Sequence, residues 1–187
     1  MPLDQLLREG TAVPIIRWDQ PVLHRPARPV EEFGPELWNL LCTLFATNRA
    51  AQGAGLAAPQ IGVDLAAFVY DTFDADGVRR TGLVCNPVLE LPTGPDRRLA
   101  TDLEGCLSLP GAYSPMSRPD QVVCHGQDQF GAPTTVAGTG YFARCLQHET
   151  DHLHGTVMED RLSAKDRKAH RRQHAEASRD YPSTWPV

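Results

Sequence analysis

His148 and His152 stand four residues apart around Glu149, in the run Gln147-His148-Glu149-Thr150-Asp151-His152, and no other feature constrains the chain as much. On an α-helix, residues i and i+4 share a face, so both imidazoles can grip one ion at about 2.0–2.1 Å from a ring nitrogen. The intervening carboxylate then reaches a water activated by that ion and can serve as general base without being a ligand. Leu146 and Leu153 continue the helical spacing, so a partly buried helix is expected over Phe142 to His154. The competing reading, two solvated histidines on a surface helix, leaves those leucines without a role.

A catalytic site needs three protein ligands and one open position. His148 to Gly155 begins the longer zinc-protease pattern, but Met158 stands where that pattern has its last histidine, leaving Glu159 or Glu176 to supply a carboxylate. Upstream, Glu104-Gly105-Cys106-Leu107-Ser108-Leu109-Pro110 offers a thiolate, placed between a glycine and a helix-hostile stretch where backbone groups stay accessible. On spacing alone both choices stay open.

Gly53-Ala54-Gly55-Leu56-Ala57-Ala58-Pro59-Gln60 fits the dinucleotide pattern G-x-G-x-x-A, with Asp74 and Asp76 near the expected distance. That fingerprint needs a strand before it and a helix after it. Here a helix is expected before it, and Pro59 interrupts the segment where the second helix would start, so a nucleotide is set aside.

Around these segments the pattern predicts an α+β fold. Leu37, Leu40, Leu41, Leu44 and Phe45 mark an amphipathic helix behind Pro35 with its stop at Gly53. Leu65 to Tyr70 and Leu83 to Leu91 read as a hairpin around Asp76-Gly77, and Gln121 to His125 and Thr134 to Ala137 as two strands around Gly131. Ser163 can cap a last helix to about Ser178, rich in Lys165, Arg167, Lys168, Arg171 and Arg172. The expected architecture is a central metal-binding helix among antiparallel strands, with an N-terminal and a C-terminal helix outside. Residues 1–162 would form the catalytic domain, with 1–30 as a proline-bearing extended arm. Residues 163–187 would add a basic helix and a loose tail.

A chain of 187 residues suits one domain, and a net charge of −5 argues against nucleic acid bound over the whole surface, DNA included. Five widely spaced cysteines without a C-x-x-C pair fit reduced thiols. No apolar run approaches the roughly 20 residues of a membrane span, and the start Met1-Pro2-Leu3-Asp4-Gln5 has no basic region ahead of an apolar one. A cytoplasmic protein is expected.

Taken together, Gly53 to Gln60, Glu104 to Ser108 and Gln147 to His152 resemble the three signature segments of peptide deformylases, in order and at similar separations. The likeness runs from about Ile15 to Leu162, includes Pro29-Val30-Glu31-Glu32, and departs at no signature position. The resemblance implies a metallohydrolase that removes the N-formyl group from the formyl-methionine of newly made proteins during their synthesis. A zinc peptidase is the alternative. The implied metal ligands are Cys106, His148 and His152, with Glu149 as general acid and base. The oxyanion donors would be Gln60 and the Leu107 N–H, and a methionine pocket would be formed by Gly53, Ala54, Gly55, Tyr141 and Cys145. Arg144 would lie beside that pocket. Fe(II) is the implied cellular ion, and Zn(II), Ni(II) and Co(II) also suit the donors. The implied partners are N-formylmethionyl nascent peptides and, through the basic terminal helix, the ribosome.

Overall fold

The computed structural model describes residues 3–187; Met1 and Pro2, the start of the expected arm, lie outside the described residues. The arm is not extended throughout. Leu3, Leu6 and Leu7 recur at helical spacing ahead of Pro14, and Leu3–Leu6 forms a short helix, α1, whose Leu6 is fully buried in the core. A 3-10 turn comes next, at Pro21–His24. The arm is fastened at Val30, whose N–H donates to Asn86 Oδ1 and whose carbonyl accepts from Asn86 Nδ2, both at 2.8 Å.

Helix α2 spans Pro35–Ala50, with the proline where the first turn has no N–H to lose. Leu37, Leu41, Leu44 and Phe45 face the core as the spacing predicts. The helix stops before the expected Gly53: Gln52 takes the left-handed conformation, at φ 54, and the Gly53 N–H reaches back to the Asn48 carbonyl.

Seven strands are seen among the described residues: β1 (Gly55–Ala57), β2 (Ala67–Phe73), β3 (Arg79–Glu90), β4 (Leu99–Cys106), β5 (Leu109–Pro119), β6 (Gln121–Gln127) and β7 (Pro133–Thr139). Five form an antiparallel sheet in the order β1-β2-β3-β6-β7, and β4 and β5 pair separately. The β2–β3 turn sits at the expected place, with Gly77 at φ 75 and Asp74 Oδ1 accepting from the Asp76 and Val78 N–H groups. The β4–β5 ribbon is absent from the sequence reading. Most of β4 is exposed and three prolines interrupt β5, so neither shows an inward apolar alternation.

Helix α3 (Gly140–Leu153) lies across the five-stranded sheet. Phe142, Leu146 and Leu153 pack against Phe68, Val84 and Val122, and the Phe142 and Tyr70 rings approach to 4.9 Å. Burying each such side chain contributes about 1.5–3 kcal/mol, which fixes the opposite face of α3 in place. Helix α4 (Ala164–Ala177) has Ser163 as its N-cap, the hydroxyl accepting from the Asp166 N–H at 3.2 Å. It packs on β5 through Ser114 and His170. The architecture is the α+β arrangement expected from the sequence. The expected loose tail is docked instead: the Trp185 carbonyl accepts from the Ile15 N–H, and Arg17 donates to the carbonyls of Tyr181 and Pro182.

Candidate metal centre

Cys106 ends β4 where the β4–β5 register shifts between Gly105 and Cys106, which turns the thiol toward α3. A Cβ on Gly105 would come within 2.7 Å of the Tyr113 ring, so this close approach requires glycine. His148 and His152 face the same place from successive turns of α3, their ring centroids 4.9 Å apart. Cys106 Sγ lies 3.3 Å from His152 Nε2, and the ligand atoms of all three residues fall within 4.8 Å of one another. A tetrahedral ion with S at ~2.3 Å and N at ~2.0–2.1 Å spaces its donors by about 3.4–3.6 Å, so this donor set fits a divalent metal. Burial pushes the His152 imidazole well below its ordinary pKa, which leaves it neutral, as ligation demands.

The structure corrects the carboxylate alternatives. Glu159 is buried, but both its oxygens accept from Arg171 Nε, at 3.1 and 3.0 Å, and Glu176 is exposed beside Arg172. Among the described residues, the cluster with metal-ligand geometry takes Cys106 as its third member.

Glu104 is the residue that sequence reading passed over. Its Oε1 accepts from His148 Nδ1 at 2.8 Å, which fixes that ring and leaves Nε2 for the ion. Arg118 binds both carboxylate oxygens, at 2.6 and 2.8 Å, and Arg144 Nη1 binds Oε2 at 2.8 Å. Burial alone would raise the Glu104 pKa, but the bonds from Arg118 and His148 outweigh it and hold the group well below the carboxylate range. The only signal in the sequence was its place two residues before Cys106. Arg144 lines the cleft, as expected, yet it is buried in this network and also donates to the Met116 and Ala100 carbonyls. Asp151 extends the network to Arg118 and Arg161.

Glu149 comes directly after His148 and points into the cleft. It is 3% exposed, and its Oε2 has no hydrogen-bond partner. Burial raises its pKa to about 7, the range in which a carboxyl can both take and return a proton. Gly55 makes room for it, since a Cβ there would stand 2.7 Å from Glu149 Oε1. Gln60 approaches from the 3-10 turn after β1. Its Oε1 accepts from the Ala57 N–H at 2.9 Å, which aims Nε2 at Cys106 Sγ (3.7 Å) and Ser108 Oγ (3.4 Å). Leu107 occupies the turn between β4 and β5.

Gln60, Glu104, Cys106, Leu107, His148 and Glu149 line one cleft of about 430 Å³. All five residues expected to hold methionine, Gly53, Ala54, Gly55, Tyr141 and Cys145, line it too. Cys145 is buried, its thiol donates to the Ala54 carbonyl at 3.4 Å, and burial pushes its pKa well up, so it stays a protonated, apolar wall. Four of the five remaining histidines serve the fold: His24 bonds the Trp18 carbonyl, His125 meets Thr135 and Glu90, and His170 and His174 tie α4 to Ser114 and the Pro110 carbonyl, while His154 is exposed at the end of α3.

The Polypeptide deformylase family model matches residues 12–168. Peptide deformylase 1 of Streptomyces avermitilis is 54% identical over 174 residues, covering 92% of this chain and 80% of that protein. The peptide deformylase of Acidothermus cellulolyticus is 46% identical over 155 residues, covering 83% and 81%. Among solved structures, a peptide deformylase from Legionella pneumophila superposes with a TM-score of 0.79 at 36% identity, covering 90% of this chain and 96% of that one. The peptide deformylase of Ehrlichia chaffeensis in complex with actinonin gives a TM-score of 0.81 at 29% identity, covering 90% and 99%.

Proposed function

This chain belongs to the polypeptide deformylase family and hydrolyses the N-formyl group of formyl-methionine on newly made proteins, and we propose that it does so with Cys106, His148 and His152 holding the metal and Glu149 moving the proton. The observation that carries this reading is the buried Cys106-His148-His152 triangle beside an unpartnered Glu149 oxygen in one cleft.

When bound, the divalent ion would polarise the formyl oxygen and lower the pKa of a water. Glu149 takes a proton from the attacking water on its free Oε2. The new C–O bond forms at the formyl carbon, and negative charge moves onto the formyl oxygen. Gln60 Nε2 and the Leu107 N–H face that charge, each donor worth about 2.7–4 kcal/mol in sites of this kind. Glu149 then gives its proton to the amide nitrogen as the C–N bond breaks, releasing formate and a free amine. A carboxyl near pKa 7 suits both transfers. Gly53, Ala54, Gly55, Tyr141 and Cys145 would hold the methionine side chain, a flexible and polarizable group suited to a mostly apolar pocket.

The finer assignments are also proposals. Fe(II) is the proposed cellular ion: the mixed thiolate and imidazole set accommodates it alongside Zn(II), Ni(II) and Co(II), and an iron–thiolate site would lose activity in air. We place the protein in the cytoplasm, where its five free cysteines would stay reduced. No helix among the described residues is long and apolar enough to cross a membrane. Lys165, Lys168 and Arg172 lie exposed at i, i+3 and i+7 on α4 and would meet ribosomal RNA. Cosedimentation with ribosomes that ignores salt, or survives their change to glutamine, removes that contact.

The test of the site is Glu149→Gln. It is expected to keep one ion per chain while formate release falls by roughly 10²–10⁴-fold. Turnover equal to the parent, or loss of the ion, would sink the assignment of the proton to Glu149.

A further inference from the structure

The family match ends at residue 168, yet the tail beyond it reaches the cleft. Tyr181 and Trp185 both line the volume that holds His148 and Glu149, and their rings meet edge to face at 5.2 Å. From the proposed reading of the site, we infer that this aromatic pair is a specificity-determining wall for the residues that come after methionine in the substrate, favouring aromatic side chains there.

The wall is built rather than incidental. Arg17 Nη2 donates to the Tyr181 carbonyl at 2.7 Å and to the Pro182 carbonyl at 2.9 Å, holding the start of the turn. The Ile15 N–H donates to the Trp185 carbonyl at 3.0 Å, and the Trp185 N–H donates to the Pro182 carbonyl at 2.9 Å. Trp185 also packs against the core cluster that contains Ile15, as does Leu107 of the turn beside Cys106. On the other side, Gly111 is at φ 79, and a Cβ there would stand 3.0 Å from the Tyr181 ring. The strand β5 is therefore shaped to let that ring lie against its backbone.

The chemistry of the cleft divides along its length. The methionine end combines small residues, a thiol and a single ring, Gly53, Ala54, Gly55, Cys145 and Tyr141. The far side presents the paired rings, Tyr181 lying against Gly111, with Pro110 and Leu107 also in the lining. A ring pair set edge to face offers a third ring the same geometry, the favoured contact between aromatic groups. A small polar side chain gains nothing comparable. Arg17 acts through the tail's position and is a positioning residue.

The experiment compares kcat/KM for three peptides, formyl-Met-Ala-Ser, formyl-Met-Phe-Ser and formyl-Met-Ala-Phe, in the metal-loaded full chain and in Tyr181→Ala, Trp185→Ala and Arg17→Gln. The parent should prefer at least one phenylalanine peptide over formyl-Met-Ala-Ser. In each variant that preference ratio should fall by roughly 5- to 10-fold, the size of one lost aromatic contact, chiefly through KM. A general loss of structure lowers all three rates together and leaves the ratio standing. Ratios that match the parent within twofold in all three variants, or a parent with no preference, would overturn the inference. No formate from any peptide by the parent would instead defeat the deformylase site itself.

Discussion

Replacing Glu104 by glutamine tests the buried network that orients the metal centre. The carboxylate receives four bonds: Arg118 Nη2 and His148 Nδ1 on Oε1, and Arg118 Nε and Arg144 Nη1 on Oε2. A glutamine of the same shape has one accepting oxygen, so its NH₂ must face two of those donors whichever way it turns. The substitution also leaves two buried guanidinium groups sharing only Asp151 and backbone carbonyls. Removing one partner of a buried ion pair costs about 3–5 kcal/mol, and a chain of this size shifts its Tm by roughly 2–4 °C per kcal/mol. A drop of roughly 6–20 °C is therefore expected by calorimetry. The metal should bind about 10–100-fold more weakly, because the imidazole of His148 loses the acceptor that sets its orientation. A Tm within about 2 °C of the parent, with metal affinity unchanged, would refute the reasoning, since neither the ion pair nor the histidine support would then matter.

Three further outcomes rest on single contacts. Gly55→Ala puts a Cβ 2.8 Å from Cys145 Sγ and 2.7 Å from Glu149 Oε1, so Glu149 must move. Formate release should fall on the order of 10²-fold with metal content intact; the two are measured on the same sample. Ser163→Ala removes the acceptor for the Asp166 N–H and should cost about 1 kcal/mol, read as faster hydrogen exchange in the first turn of α4. Stripping the metal with a chelator should lower Tm by roughly 8–16 °C, the linkage expected for an ion present at about a thousand times its Kd, and re-addition should restore it. An unchanged Tm after confirmed removal would mean that the cluster binds no ion tightly.

The helices and the chemistry were legible in the sequence because both obey fixed spacings. His148 and His152 announce a helix face, Pro35 and Ser163 mark helix starts, and Asp76-Gly77 marks a turn. The features that stayed hidden depend on contacts between distant segments. Most of β4 is exposed, and the inward residues of β5, Ala112, Ser114, Met116 and Arg118, mix polar with apolar, so the ribbon carries no apolar period. Glu104 looks like any surface carboxylate until Arg118, Arg144 and His148 converge on it from β5 and α3. The tail reads as loose because Pro182 and Pro186 forbid regular structure, yet bonds to Arg17 and Ile15 order it without any. Cys106 was one of two candidate ligand sources on spacing alone, and geometry separates them: its thiol meets the two histidines, while Glu159 bonds to Arg171.

The most direct measurement is formate release from formyl-Met-Ala-Ser by protein prepared without oxygen and loaded separately with Fe(II), Ni(II) and Zn(II). About one ion per chain and formate production are expected, with the Fe(II) sample losing activity in air while the others keep theirs. No formate from any sample, with the ion confirmed in place, would contradict the claim that the Cys106-His148-His152 triangle and Glu149 form a deformylating site.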